Sequence, residues 1–128
     1  AIPNGIGSVE HRMELLYQGV VTGEITLERW VETCSTTPAR MFGLSSKGQL
    51  QPGFDADVLV WDPNGHTSIG YEKKHHMNMD HSAWEGFEID GKVDTVISRG
   101  VVLVQNDQFV GKVGHGQFVK RGLSEYLH

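Results

Sequence analysis

The stretch KGQLQPGFDADVLVWDPN, residues 47–64, is where the chain changes its hydrophobic period. Upstream of it, apolar residues recur every three or four positions. From Asp57-Val58-Leu59-Val60-Trp61-Asp62 onward they come in short runs, as strands do. Gly48 to Pro52 links the two halves, and Pro63-Asn64-Gly65 is expected to end the first strand. The fold class read from this switch is α+β, with helices first and strands after.

Working outward toward the N-terminus, Val9, Met13, Leu16, Tyr17, Val20 and Val21 form the stripe of an amphipathic helix over residues 8–22. Ser8 reads as its N-cap and Gly23 as its stop. Thr26 caps a second helix that carries Leu27, Trp30, Val31 and Cys34 on one face. Arg29 stands where a capping box would have Glu or Gln. Ser35-Thr36-Thr37-Pro38 is expected to restart the chain, with Thr37 as N-cap and Pro38 at the first position of a short helix that Gly43 ends. Ala1-Ile2-Pro3 reads as the end of a strand and Asn4-Gly5 as the turn leaving it, so a longer polypeptide is expected to precede this start.

Toward the C-terminus, Thr95–Ser98 and Val101–Val104 flank Arg99-Gly100 as a hairpin. Phe87-Glu88-Ile89 and Gln108-Phe109-Val110 are weaker strand candidates. The formal net charge of −5, with lysines and arginines scattered, argues against nucleic acid as a partner. Cys34 is the single cysteine, so no internal disulfide can form, and no apolar run approaches a membrane span. A soluble protein of a reducing, cytoplasmic compartment, with no membrane partner, is the expectation.

Several residues could carry chemistry. His75, His76 and His81 with Asp80 are of types that zinc accepts, but adjacent histidines on a strand point to opposite faces. Cys34 sits on the apolar face with Trp30 and Val31, which favours packing over nucleophilic work. Asp55 and Asp57 could be paired carboxylates or simply the entry turn of a strand. Gly111, Gly114 and Gly116 suggest a phosphate loop only if a helix follows, and none is expected there. Asn4 before Gly5 is a common turn residue.

Taken together, IPNG at 2–5, VEHRMELLYQGVVTGEITLERWVE, STTPARMFGL at 35–44, KGQLQPGFDADVLVWDPN, HHMNMDHSAWEGFEIDGKV at 75–93 and VISRGVVLV at 96–104 resemble the cyclic amidohydrolases called dihydropyrimidinases and D-hydantoinases. The most specific combination is G-x-D-A-D-x-x-x-W-D-P followed by I-S-R-G. This resemblance implies a TIM-type barrel bearing a two-metal site and a small β-sandwich built from both ends of the polypeptide. It places residues 1–46 at the end of the barrel, 47–110 in the sandwich and 111–128 in a C-terminal tail.

The family's metal ligands all precede the IPNG loop. The resemblance therefore implies two zinc ions for the complete enzyme but no metal ligand and no catalytic residue in this chain, which alone should be inactive. It also implies that Asn4, on a loop after a barrel strand, offers main-chain hydrogen bonds to a cyclic amide or imide substrate. His75-His76 matches a family stretch outside the ligand set. The expected partner is the remainder of the amidohydrolase chain, or a second copy by self-association. A non-catalytic scaffold akin to the collapsin response mediator proteins is the competing reading.

Overall fold

A computed structural model of the chain describes residues 7, 9–70, 76, 78 and 80–126. Ile2 to Gly5, the Ser8 cap and His75 lie outside the described residues.

Helix α1 spans Arg12–Val21. It begins later than the sequence stripe suggests, with Val9 in a turn and exposed. Helix α2, Leu27–Val31, starts where expected, because the Thr26 hydroxyl accepts the Arg29 N–H at 3.1 Å. The expected restart at Thr37 does not occur. Thr37 is helical, at φ −63° and ψ −47°, and its N–H donates to the Glu32 carbonyl. A π turn, Glu32–Thr36, thus joins α2 to α3, Thr37–Met41, in one continuous run. Pro38 has no N–H, and its ring would meet the Cys34 carbonyl of a regular helix. An extra residue in the turn moves that carbonyl aside, so the helix absorbs the proline without breaking.

The strands form one antiparallel sheet in the order β1-β2-β3-β4, with β1 Val58–Ser68, β2 Glu88–Ser98, β3 Val101–Gln105 and β4 Gln108–Phe109. Pro63-Asn64-Gly65 does not end β1. Asp62 pairs with Lys92 and His66 with Asp90, so the intervening residues bulge out and pairing resumes beyond them. The Asn64 N–H donates to the Asp62 carboxylate at 2.9 Å, which holds the bulge. Likewise Phe87-Glu88-Ile89 is no separate weak strand: Glu88 and Ile89 open the long β2 that contains Thr95–Ser98. Arg99 (φ 50°) and Gly100 (φ 79°) make the expected two-residue hairpin turn, whose left-handed backbone matches the twist of the strands.

The core is where the helices meet the sheet. Tyr17 of α1, Trp30 of α2 and Trp61 of β1 form a ring cluster: Trp30 packs edge to face on Tyr17 and Trp61, with centroids 5.1 Å and 5.2 Å apart, and Tyr17 lies tilted against Trp61 at 4.7 Å. The Trp30 indole N–H donates to the Met13 carbonyl at 3.1 Å and fixes α2 on α1. Gly91 of β2, at φ 91°, lies under this cluster, where a Cβ would come within 2.6 Å of Trp61 and 2.9 Å of Tyr17. The Gln18 side chain grips Asp90 like a strand neighbour, its Nε2 donating to the Asp90 carbonyl at 3.0 Å and its Oε1 accepting the Asp90 N–H at 3.4 Å. Ring packing and this paired contact dock α1 on β2.

Candidate functional site

The residues singled out from sequence fall in three places. Asn4 and His75 lie outside the described residues. His76 donates its backbone N–H to both carboxylate oxygens of Glu10, at 2.7 Å and 2.8 Å. That contact brings residue 76 against the approach to α1. His81 and Asp80 form an exposed pair, Nδ1 to Oδ1 at 2.7 Å, and the hydrogen bond from His81 holds the Asp80 carboxyl below its ordinary value. Among the described residues, no group of three or more His, Cys, Asp or Glu side chains is arranged to hold a metal ion.

The second place is the junction between helices and sheet. A cavity of about 740 Å³ opens there, walled by Trp30, Cys34, Pro38, Leu59 and Trp61 among others. Burial pushes the Cys34 thiol up, only partly offset by Arg12, so the sulfur stays protonated and poorly nucleophilic. At the edge of this cavity Asp55 and Asp57 share Lys47, with Lys47 Nζ 2.9 Å from Asp55 and in hydrogen-bond contact with Asp57. Ser46 donates to Asp55 at 3.2 Å, and the Arg99 backbone N–H donates to Asp57 at 2.8 Å.

Lys47 holds the Asp55 carboxyl down. At Asp57 burial pushes upward, but Lys47 and the Arg99 N–H outweigh it and leave that carboxyl low as well. Both aspartates are thus ionised and fully engaged in tying the 46–57 loop to the β2–β3 turn. A carboxylate ion-paired to lysine and held low is a weak base for proton transfer.

The glycines of the tail are the third place. The Gly111 N–H donates to the Leu103 carbonyl at 3.2 Å, closing the end of the sheet. Residues 112–126 contain no helix. Further along, the Gly122 N–H donates to the Gly43 carbonyl and that of Glu125 to the Arg40 carbonyl, which lays the tail against the end of α3.

Sequence reasoning passed over Glu14 and Gln18. They stand one turn apart on the side of α1 that faces β2, and Glu14 is buried. A glutamate in the first turn of a helix ordinarily reads as a solvated partner of the helix dipole. Its only signal was its place beside Met13 and Tyr17 on the apolar stripe.

The sequence pattern of the Amidohydrolase family matches residues 3–103. The chain belongs to the amidohydrolase family. Among amidohydrolases it is hydantoinase-like. It is 50% identical over 127 residues to a D-hydantoinase of Streptomyces coelicolor, a match covering 98% of this chain and 27% of that protein. It is 46% identical over 121 residues to a D-phenylhydantoinase of Escherichia coli, covering 93% and 26%. Its backbone superposes on the D-hydantoinase (dihydropyrimidinase) of Thermus sp. with a TM-score of 0.90 at 43% identity, covering 97% of this chain and 27% of that one. This amidohydrolase chain therefore spans about a quarter of the length of the relatives it matches.

Proposed function

We propose that the chain is the C-terminal segment of a metal-dependent cyclic amidohydrolase that opens dihydropyrimidine or hydantoin rings to N-carbamoyl amino acids. The supporting observation is likeness to hydantoinases in both sequence and backbone along nearly the whole chain. In this reading residues 1–46 complete the barrel, 47–110 belong to the sandwich and 111–128 form the tail.

The donors described here do not fit a two-metal centre. The Asp80–His81 pair is solvent-exposed, His76 is held to Glu10 through its backbone, and Asp55 and Asp57 are engaged by Lys47. No step of ring hydrolysis is therefore assigned to them. The work of this segment in the complete enzyme is positional. Asn4 offers backbone hydrogen-bonding groups to the ring amide or imide, and Tyr17 and Gln18 dock α1 on the sheet.

The test is a ring-opening assay on hydantoin and dihydrouracil, with zinc supplied, for the 128-residue chain and for a polypeptide extended upstream by its gene. The chain alone should show no turnover, and the extended polypeptide should hydrolyse the ring. In that enzyme Asn4→Ala should lower kcat/KM modestly and Asn4→Pro, which removes the N–H, far more. Turnover by the isolated chain, or none by the extended one, would overturn the reading.

A further inference from the structure

A second cavity, about 320 Å³, lies between the start of α1 and the sheet. Its floor is apolar, from Leu59 of β1, Val93 and Val96 of β2 and Val104 of β3, while Glu10, His11 and Glu14 stand on the helix side. Glu14 is only 6% exposed, and among the described residues its Oε2 meets no hydrogen-bond donor. A buried carboxylate oxygen without a donor is costly.

The groups lining the same space leave that need unmet. His66 is turned to Glu88 at 2.6 Å, and the His76 N–H is given to Glu10. Lys92 and Asp107 also line the cavity, yet among the described residues no ion pair joins Lys92 to Glu14. With Glu10 as a second carboxylate, the helix side of the cavity is negative. That disfavours an anion, and a divalent metal would want several ligands that the described residues do not gather.

We propose that this cavity binds a small cation bearing N–H groups, a primary ammonium or a guanidinium, hydrogen-bonded to Glu14 Oε2. Charge-assisted N–H···O bonds would satisfy the orphaned oxygen and neutralise the buried charge together, and the apolar floor accepts the carbon that carries the nitrogen. The cation has two sources: a free small amine, or a Lys or Arg side chain of the longer polypeptide. The second source rests on the function proposed above.

The probe is methylammonium chloride at pH 7.5, with tetramethylammonium chloride, which has no N–H, at equal ionic strength. In the 128-residue chain methylammonium should shift the Glu14 carboxyl carbon resonance saturably and raise the melting temperature by about 2–4 °C. Tetramethylammonium should do neither, and Glu14→Gln should abolish the thermal response. Equal responses to both cations, no response to methylammonium, or an undiminished thermal response in Glu14→Gln would overturn the proposal.

In the extended polypeptide the two sources separate. A persisting methylammonium response identifies a free amine. Loss of that response together with a lower melting temperature in Glu14→Gln identifies a resident side chain, and neither result would overturn the site there. Ring-opening activity is read independently, so failure of the site and failure of the proposed function are distinguishable.

Discussion

Gly91 shows how a single atom can decide packing. Its φ of 91° is strained for any residue with a Cβ, and that Cβ would also press into Trp61 and Tyr17. Gly91→Ala should therefore cost about 2–4 kcal/mol, read as a lower urea midpoint, because the rings cannot retreat without separating α1 from β2. Glu14 acts in the opposite direction. Burial raises its carboxyl from 4.5 to about 6, with Glu10 adding repulsion and a backbone hydrogen bond partly opposing both. The folded state thus favours the protonated acid. Stability from this group is complete below the ordinary value near 4.5 and fades as pH rises through about 6, by roughly 2 kcal/mol. Glu14→Gln should accordingly stabilise the chain by about 1–2 kcal/mol at pH 7.5 and leave it little changed at pH 4, measured by urea unfolding at both values. A variant equally stable at both pH values, relative to the parent, would contradict the burial argument.

At the scale of elements, the widened turn over Glu32–Thr36 is attributed to Pro38. Pro38→Ala restores an N–H that can reach the Cys34 carbonyl, so residues 32–41 should relax into a regular α-helix, with stability changing by less than about 1 kcal/mol. Protection of the new residue-38 amide against hydrogen exchange is the check. If the five-residue bond from Thr37 to Glu32 persists, tertiary contacts such as the Thr36 hydroxyl on the Gly48 carbonyl, and not the proline, maintain the π turn. The sheet tells a similar story. The cap at Thr26 and the turn at Arg99-Gly100 were legible because each depends on residues a few positions apart. The continuation of β1 past Pro63-Asn64-Gly65 was not, because it depends on β2 offering partners on both sides of the bulge.

For the whole molecule, large apolar side chains lie open to solvent: Val113 is 100% exposed, Phe118 93% and Val9 86%. Covering such side chains removes apolar area from water, which favours association. The 128-residue chain in solution should therefore not behave as a bare 14.2 kDa monomer, and light scattering should report a larger mass. A stable monomer across micromolar concentrations would show that these side chains need no cover.

The sequence by itself determined the family, through G-x-D-A-D-x-x-x-W-D-P and I-S-R-G, and the order of helices before strands, because periodicity and turn chemistry are written locally. The tail glycines and Cys34 were read as structural because the neighbours that phosphate binding or nucleophilic catalysis require are absent from their own segments. The structure adds that the Gly111 N–H closes the sheet on Leu103 and that burial pushes the Cys34 thiol up. Only the tertiary structure decided that Pro38 sits inside a continuous helix and that Glu88–Ser98 is one strand. It alone set Glu14 and Gln18 against β2, giving one a buried oxygen with no donor among the described residues and the other a grip on Asp90. The physical reason is distance along the chain. Gln18 and Asp90 are separated by 72 residues, and burial of a helix face depends on what the remote chain lays upon it.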